Sequence, residues 1–410
     1  MAKSNNTELN SLKKKLGEVC TYSKGKKPPI LSIEKSKECS IPYINIKAFE
    51  KGIFGEYTNG EKCNLCDDED LLMVWDGARC GLIGKAKKGA VGSTLMKILP
   101  KENIHKEYLY HFISSKFWTL NTKPKGVGIP HIEPTLLWNF ELVVPPLPEQ
   151  QAIVAKIEEL LSDLENGKQQ LQTAQQQLKV YRQSLLKWAF EGKLTNKKVK
   201  EGELPKGWKW VAVSEISNVV RGGSPRPAGD PKYYDGTIPF LKVRDITKDN
   251  GTYLTTFEYT IKEAGLHKTR QIKPNTLLLS NSGATLGVPK ICMIDATMND
   301  GIAAFLDLDE RSNLYLYYFW LSKTKELRNI NMGAAQPNLN TDIIKNYLVP
   351  YCSFEERQLI IDELESKLTL CDKLEETISQ SMKQAETLRQ SILKKAFEGK
   401  LINCELKTTS

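Results

Sequence analysis

The feature that most constrains this chain is that it is written twice. Residues 182–194 read RQSLLKWAFEGKL and residues 389–401 read RQSILKKAFEGKL, an offset of 207. The same offset carries Tyr108-Leu109-Tyr110 and Phe112 onto Tyr315-Leu316-Tyr317 and Phe319, Gly126 and Pro130 onto Gly333 and Pro337, and Glu149 onto Glu356. Nearer the start of each half the offset shortens. Glu18 and Ile41-Pro42-Tyr43-Ile44 match Glu215 and Ile238-Pro239-Phe240-Leu241, while Gly77-Ala78 and Gly81 match Gly283-Ala284 and Gly287. Loop insertions account for the drift, and a self-similar chain of this kind folds as two copies of one unit.

Each copy has the same grammar. About 150 residues of short apolar runs broken by Gly, Pro and Asn come first, among them Ile41–Ile46, Leu71–Trp75, Phe240–Val243 and Thr276–Leu279. They read as strands mixed with short helices such as Tyr108–Phe112 and Tyr315–Phe319. The texture then changes. From Pro148 to Glu191 there is no further proline and one glycine, and Ile157, Leu164, Leu171, Leu178 and Leu185 recur every seventh residue, with Leu160, Ala174, Tyr181 and Trp188 three positions after most of them. In the second copy Leu364, Cys371, Ile378, Ala385 and Ile392 keep the step, with Leu374 and Leu388 in the second seam position. Such stripes form a coiled-coil seam, and Gly192 and Gly399 stand where helix C-terminal glycines belong.

The fold class that follows is α+β: two similar globular domains of mixed β-strands and short helices, joined by two long helices forming an antiparallel coiled coil, with a pseudo-twofold internal repeat. The boundaries expected are 1–148 for the first domain, 149–194 for the first long helix, 195–204 for a linker, 205–352 for the second domain, 353–402 for the second long helix and 403–410 for a tail. A helix of this length, about 60 Å at 1.5 Å per residue, overhangs a 150-residue domain, so its stripe needs a partner helix. Two similar readers at a fixed separation suit a target with two half-sites. DNA is such a target, and a net charge of +9 permits an anionic partner. The domains differ between the repeat landmarks, so the half-sites would differ, giving an asymmetric bipartite site.

The sequence lacks signs of catalytic chemistry. The nearest approach to the [N/D]-P-P-[Y/F] loop of a DNA amino-methyltransferase is Asp230-Pro231-Lys232-Tyr233, with lysine in the decisive place, which reads as a turn. No Pro-Asp dipeptide of the common magnesium nuclease motif occurs, and the Glu191-Gly192-Lys193 and Glu398-Gly399-Lys400 triplets that echo its tail lie at helix ends. The glycine-rich run 77–92 fails the phosphate-loop pattern because Gly84-Lys85 is followed by Ala86 and Arg79 holds the place of the first required glycine. Its glycines read as tight turns. Cys63-Asn-Leu-Cys66 has no second pair and no counterpart in the other half, so no metal site is expected. Nine scattered cysteines read as free thiols, and an N-terminus without a signal-peptide core makes the cytoplasm the default location.

The paired AFEGKL blocks, the phrase Leu204-Pro205-Lys206-Gly207-Trp208, the helix start Pro145-Pro146-Leu147-Pro148-Glu149-Gln150-Gln151 and the two-fold plan together resemble the specificity subunit of Type I restriction-modification systems. The likeness covers nearly the whole chain. It implies a non-catalytic subunit in which two target-recognition domains each read half of a split site, with the conserved helices docking two modification (adenine methyltransferase) subunits and restriction (translocase and endonuclease) subunits. It further implies no cofactor in this chain, with S-adenosylmethionine, ATP and magnesium on the partners. One departure is visible: Ser353-Phe354-Glu355-Glu356-Arg357-Gln358 stands where the first copy has Leu-Pro-Glu-Gln-Gln. A two-domain coiled-coil docking scaffold without DNA readout remains the alternative.

Arg and Lys on guanine and Asn and Gln on adenine are the favoured major-groove pairings, so exposed loops carrying them are the candidate DNA contacts. In the first domain these are Lys24, Lys26, Lys27, Arg79, Lys85, Lys123, Lys125 and His131. In the second they are Arg221, Arg226, Lys242, Arg244, Gln336 and Asn338. Ile157, Leu164, Leu171, Leu178, Leu185, Leu364, Ile378, Leu388 and Ile392 are the candidate coiled-coil and partner residues.

Overall fold

The computed structural model describes residues 13–122, 130–196, 198–200, 202–283, 285–330 and 339–401. Four helices organise it: α1 (Lys106–Ser115), α2 (Leu147–Phe190), α3 (Asn313–Ile330) and α4 (Phe354–Phe397). The chain divides into two compact units, Met1–Leu171 with Gln380–Ser410, and Gln172–Ser379. Each unit thus contains one β-rich domain, the part of its own long helix nearest that domain, and the end of the long helix from the other repeat.

In the first unit, Cys20–Lys24, Leu95–Pro100, Leu71–Val74 and Ile83–Lys85 form an antiparallel sheet in that order. A second sheet runs Tyr57–Thr58, Ile41–Ile44, Gly89–Val91, Leu65–Cys66. All four side chains of Leu71–Val74 are buried because both faces of this central strand are covered. Leu71 and Met73 face the core that includes α1, while Leu72 and Val74 join Ile44, Ala86 and Val91. The second unit repeats the plan. Asn218–Arg221, Ile302–Leu306, Thr276–Ser280, Pro289–Cys292 and Tyr253–Leu254 form one sheet, and Thr260–Ile261, Tyr234–Leu241, Ala296–Met298 and Arg270–Ile272 the other. The expected strands are therefore present, but those through Ile41 and Phe240 end early: Ile46 and Val243 open short helices.

Aromatic packing locks each domain to the helix end of the other repeat. In the first unit the ring of Phe397, in the second AFEGKL block, lies 5.1 Å from Tyr108 and 5.3 Å from Phe112, edge to face. In the second unit Phe190, in the first block, lies 5.1 Å from Tyr315 and 5.3 Å from Phe319. The hydroxyls of Tyr108 and Tyr315 donate to the equivalent carbonyls of Val143 (2.8 Å) and Pro350 (2.6 Å). Buried aromatic pairs of this geometry contribute about 0.5–1.5 kcal/mol beyond their area. Gly192 (φ 72°) and Gly399 (φ 73°) then reverse the chain in the left-handed conformation that glycine adopts without a Cβ penalty.

The departure at the start of α4 has a structural counterpart. Gln150, fully buried, donates to the carbonyls of Asn103 and Pro145 and accepts from the amide of His105, each at 2.8 Å. Its equivalent Arg357 is also buried, donates to the carbonyl of Cys352 at 2.8 Å and sits 4.2 Å over the ring of Tyr351. A guanidinium thus does part of the work of an amide, stacked on a π face, while its Nε is buried without a hydrogen-bond partner.

The long helices confirm the seven-residue step and correct its second row. Near the start of α2, Ile153, Val154 and Ile157 share a core with Leu393 and Ala396 near the end of α4. In the second unit Leu178, Leu185 and Ala189 share one with Ile360, Leu364 and Cys371. Start meets end in both, the antiparallel arrangement. Leu164, Leu171 and Ile378 are half-buried and Ile392 is buried. The expected second seam position holds only in part: Leu160 and Ala174 are half-buried, but the other four residues are not. Leu388 is 50% exposed, Leu374 46%, Tyr181 40% and Trp188 39%. The row that is covered along its whole length lies four residues after each seam residue, and holds Leu161, Lys168, Gln175, Arg182 and Ala189 on α2, with Leu368, Glu375, Met382, Arg389 and Ala396 on α4. Long polar side chains occupy it because their stems cover apolar surface while their heads pair: Arg182 reaches Asp372 at 2.5 Å and Glu375 at 3.2 Å.

This phase has a direct test on one helix. Leu364→Ala should lower stability by about 2–5 kcal/mol, as cavity-forming core changes do, and Leu374→Ala should change it by less than about 0.5 kcal/mol. Chemical unfolding of the two variants measures both; equal losses would show that Leu374 is in the seam.

Candidate nucleic-acid interface

The strands Cys20–Lys24 and Asn218–Arg221 end at one equivalent turn, where the chain passes from the edge of one sheet to the end of an inner strand of the other. Gly25 N donates to Leu95 O (2.9 Å) and Lys26 N to Val91 O (3.2 Å); Gly222 N donates to Ile302 O (2.9 Å) and Gly223 N to Met298 O (3.1 Å). The backbones approach so closely that a Cβ on Gly25 would lie 2.1 Å from the carbonyl oxygen of Gly92, and one on Gly222 2.1 Å from that of Asn299. Glycine is required at both places, and the residue immediately before it is a cation in both: Lys24 in one unit, Arg221 in the other.

Around each turn an acid gathers the candidate residues. In the first unit Asp76, just after Leu71–Val74, accepts from Lys24 Nζ at 3.0 Å and lies 2.6 Å from Nδ1 of His131, whose backbone bridges to Asp76. Lys26 and Lys27 follow on the same turn and are exposed. In the second unit Asp300 accepts from Ser224 Oγ at 2.7 Å and pairs with Arg226 at 3.5 Å, while its carbonyl accepts from Arg221 Nε at 2.5 Å. Two further candidates lie together: Lys242 sits 3.4 Å over the ring of Tyr259, and Arg244 pairs with Glu258 at 3.5 Å. Exposed ion pairs contribute only about 0–1 kcal/mol, so an incoming phosphate can compete for these cations while the acids hold them in place.

Other candidates stand apart. Arg79 pairs with Glu50 at 3.4 Å. Lys85 is opposite Leu71 in the strand register, away from the Asp76 end of that strand, and is shared between Glu69 (3.2 Å) and Glu107 (3.1 Å). Lys123, Lys125, Gln336 and Asn338 lie outside the described residues. Sequence reading missed Asp76, Asp300 and Tyr259, since nothing local marks an acid 52 residues from Lys24 as its partner.

The rejected motifs have ordinary structural roles. Asp230–Tyr233 is a turn closed by Tyr233 N to Asp230 O. Gly77 (φ 109°) and Gly81 (φ 92°) form turns, whereas Gly84 and Gly89 are strand positions against which Phe49 and Pro42 pack. Cys63 and Cys66 turn to different carbonyls, Sγ of Cys63 to Glu61 O at 3.4 Å and Sγ of Cys66 to Lys87 O and Gly89 O at 3.5 Å. Burial pushes the Cys66 thiol up to about 11. The eight cysteines among the described residues are free.

Comparison with known proteins places this architecture. The family described as the Type I restriction modification DNA specificity domain matches residues 10–173 and 205–384. The Type I restriction enzyme MjaVIII specificity subunit of Methanocaldococcus jannaschii is 28% identical over 378 residues, 86% of this chain and 84% of the relative. The EcoBI specificity subunit of Escherichia coli is 27% identical, over 89% of this chain and 81% of its own. Among solved structures, a chain of a type I R-M system studied for complex assembly and conformational transition superposes with a TM-score of 0.70 at 21% identity, covering 95% of this chain and 97% of that one. The HsdS subunit from Thermoanaerobacter tengcongensis gives 0.61 at 20% identity, covering 95% and 96%.

Thiol reactivity checks the packing around these sheets. Burial also raises Cys20 to about 11 and Cys352 to about 12, so at pH 8 their thiolate fractions are of order one part in a thousand or less. A brief iodoacetamide pulse on the native chain, read by peptide mass mapping, should label half-exposed Cys63 well before Cys20, Cys66 and Cys352. Equal labelling would show that those thiols are not held in the core.

Proposed function

The chain belongs to the Type I restriction-modification DNA specificity family, and from that membership we propose that it reads an asymmetric, split DNA site, one half through each domain. It is a specificity subunit, a non-catalytic component whose task is recognition. The observation that carries the split-site reading is the pair of equivalent turns. One backbone solution, fixed by Gly25 and Gly222, presents Lys24 and the 26–27 lysines in one unit and Arg221 with Arg226 in the other. The same scaffold with different side chains is what two unlike half-sites require. A lysine acts on phosphate chiefly as a point charge, whereas an arginine can also fork onto a guanine edge.

Residues 1–148 and 205–352 are the proposed target-recognition domains. Lys24, Lys26, Lys27 and His131 in the first, and Arg221, Arg226, Lys242 and Arg244 in the second, are the proposed contacts, joined by Lys123, Lys125, Gln336 and Asn338. Arg79 and Lys85 are given a lesser part because acids hold them away from the turns. The outer faces of the long helices support docking of partner subunits. Val180, Tyr181, Trp188, Leu359 and Leu370 are exposed there, as are Leu374 and Leu388, the residues that the seam does not use. The proposed partners are two modification subunits carrying S-adenosylmethionine and restriction subunits using ATP and magnesium, assembled in the cytoplasm.

Co-expression with the methyltransferase encoded beside this chain, followed by mapping of methylated adenines in the host DNA, should give a split motif with two different halves, and exchanging residues 1–148 should change one half only. Methylation at an unsplit site, or without this chain, would leave a protein-docking scaffold as the better reading. Within the purified complex, Lys24→Ala should weaken binding across sequences and lower the salt slope by about 1, while Arg221→Ala should cost about 1–3 kcal/mol at one half-site alone. Identical, sequence-independent losses from both would refute the assigned base reader.

A further inference from the structure

At the junction of α1 and α2 in the first unit, a buried imidazole faces a carboxylate across a gap that neither closes. His111 is 5% exposed, and its Nε2 is buried with no hydrogen-bond partner. The nearest charged oxygen is Oε1 of Glu158 on α2, 3.8 Å away. Glu107, one turn before His111 on α1, places its carboxylate beside the same gap, and the three ligand atoms all lie within 4.8 Å of one another.

The second repeat shows what this junction looks like when it closes without help. At the offset of 207, His111 corresponds to Tyr318 and Glu158 to Glu365, and the Tyr318 hydroxyl donates to Oε1 of Glu365 at 3.1 Å. The position of Glu107 is taken by Leu314, so the third carboxylate belongs to the first repeat alone. A hydrogen bond from an imidazole N–H needs about 2.7–3.2 Å, and 3.8 Å is too far. A metal bound at about 2.0–2.2 Å to each of two ligands sets them about 3.4 Å apart at the tetrahedral angle and a little over 4 Å apart in line, and 3.8 Å falls between.

We propose that Glu107, His111 and Glu158 form a site for a divalent transition-metal ion of the zinc type, clamping the first domain to its long helix. One imidazole and two carboxylates are the donor set that borderline metals accept and that magnesium, an all-oxygen ion, does not favour. Glu158 is half exposed, which gives the ion a way in and leaves water as the fourth ligand. The opposing charge is Lys85, whose ammonium holds Glu107 at 3.1 Å and Glu69 at 3.2 Å. It sets the affinity below that of a dedicated three-ligand site, and it must stay on Glu69 when the ion binds.

The test is calorimetric titration of the chelator-treated full-length chain with zinc chloride, with Cys63→Ser/Cys66→Ser as background and cobalt absorption as a second readout. The expected result is one ion per chain at micromolar affinity, a cobalt spectrum without a thiolate band, a raised unfolding midpoint, and no response to magnesium. Glu158→Gln should weaken binding at least about tenfold, and Lys85→Met should tighten it several-fold. His111→Tyr, which copies the second repeat, should abolish binding while leaving the unfolding midpoint of the metal-free chain unchanged or higher, so lost binding would not reflect lost folding. No saturable zinc binding up to about 1 mM, binding indifferent to His111→Tyr and Glu158→Gln, or a junction stabilised by acid and not by zinc would each overturn the proposal.

Discussion

Two edge-to-face aromatic triads carry this structure. Phe397 against Tyr108 and Phe112, and Phe190 against Tyr315 and Phe319, tie each β-rich domain to the end of the long helix that the other repeat supplies. An isolated helix of 44 residues has little reason to end in a phenylalanine with a glycine two residues on. It does so here because the ring completes a core assembled from sequence more than 100 residues away, and the glycine turns the chain once the ring is seated. The two AFEGKL blocks resemble each other because each must fit the same kind of aromatic socket, whose tyrosine hydroxyl is already committed to a backbone carbonyl.

That constraint frees the rest of each domain to differ. Backbone geometry at Gly25 and Gly222 is fixed by the near contact with the neighbouring strand, yet the side chains projecting from those turns are not shared. Asp76 and Asp300 then orient the cations locally. The division of labour is familiar from nucleic-acid recognition, in which a rigid frame sets register on the phosphates and a few replaceable side chains choose bases. The junction between each domain and its helix shows the same freedom, with a hydroxyl–carboxylate bond in one unit and an imidazole among carboxylates in the other.

The resemblance noted from the repeated blocks and the family match agree although they rest on different stretches, the blocks at 182–194 and 389–401 and the match over 10–173 and 205–384. The proposed contact residues lack that double support. Arg79 and Lys85 share the glycine-rich run 77–92 and are both candidates, but strand pairing sends Lys85 to the far end of Leu71–Val74, where it is shared between Glu69 and Glu107. Gln336 and Asn338, the candidates best suited to adenine, lie beyond the described residues.

The sequence by itself determined the two-fold plan, the presence of the two long helices, their glycine ends and their seven-residue step, because these depend on repetition and on periodicity within about two turns of backbone. The tertiary structure alone decided which second row of the seam is covered. Hydrophobicity assigned Leu374 and Leu388 to the inside, but the facing helix covers the row holding Arg182 and Arg389, whose long stems fill the seam while the Arg182 guanidinium finds Asp372 and Glu375. It also decided which acid restrains which cation. A charged side chain's partner is set by what the fold brings within about 4 Å, and that is a distance in space that no local pattern encodes.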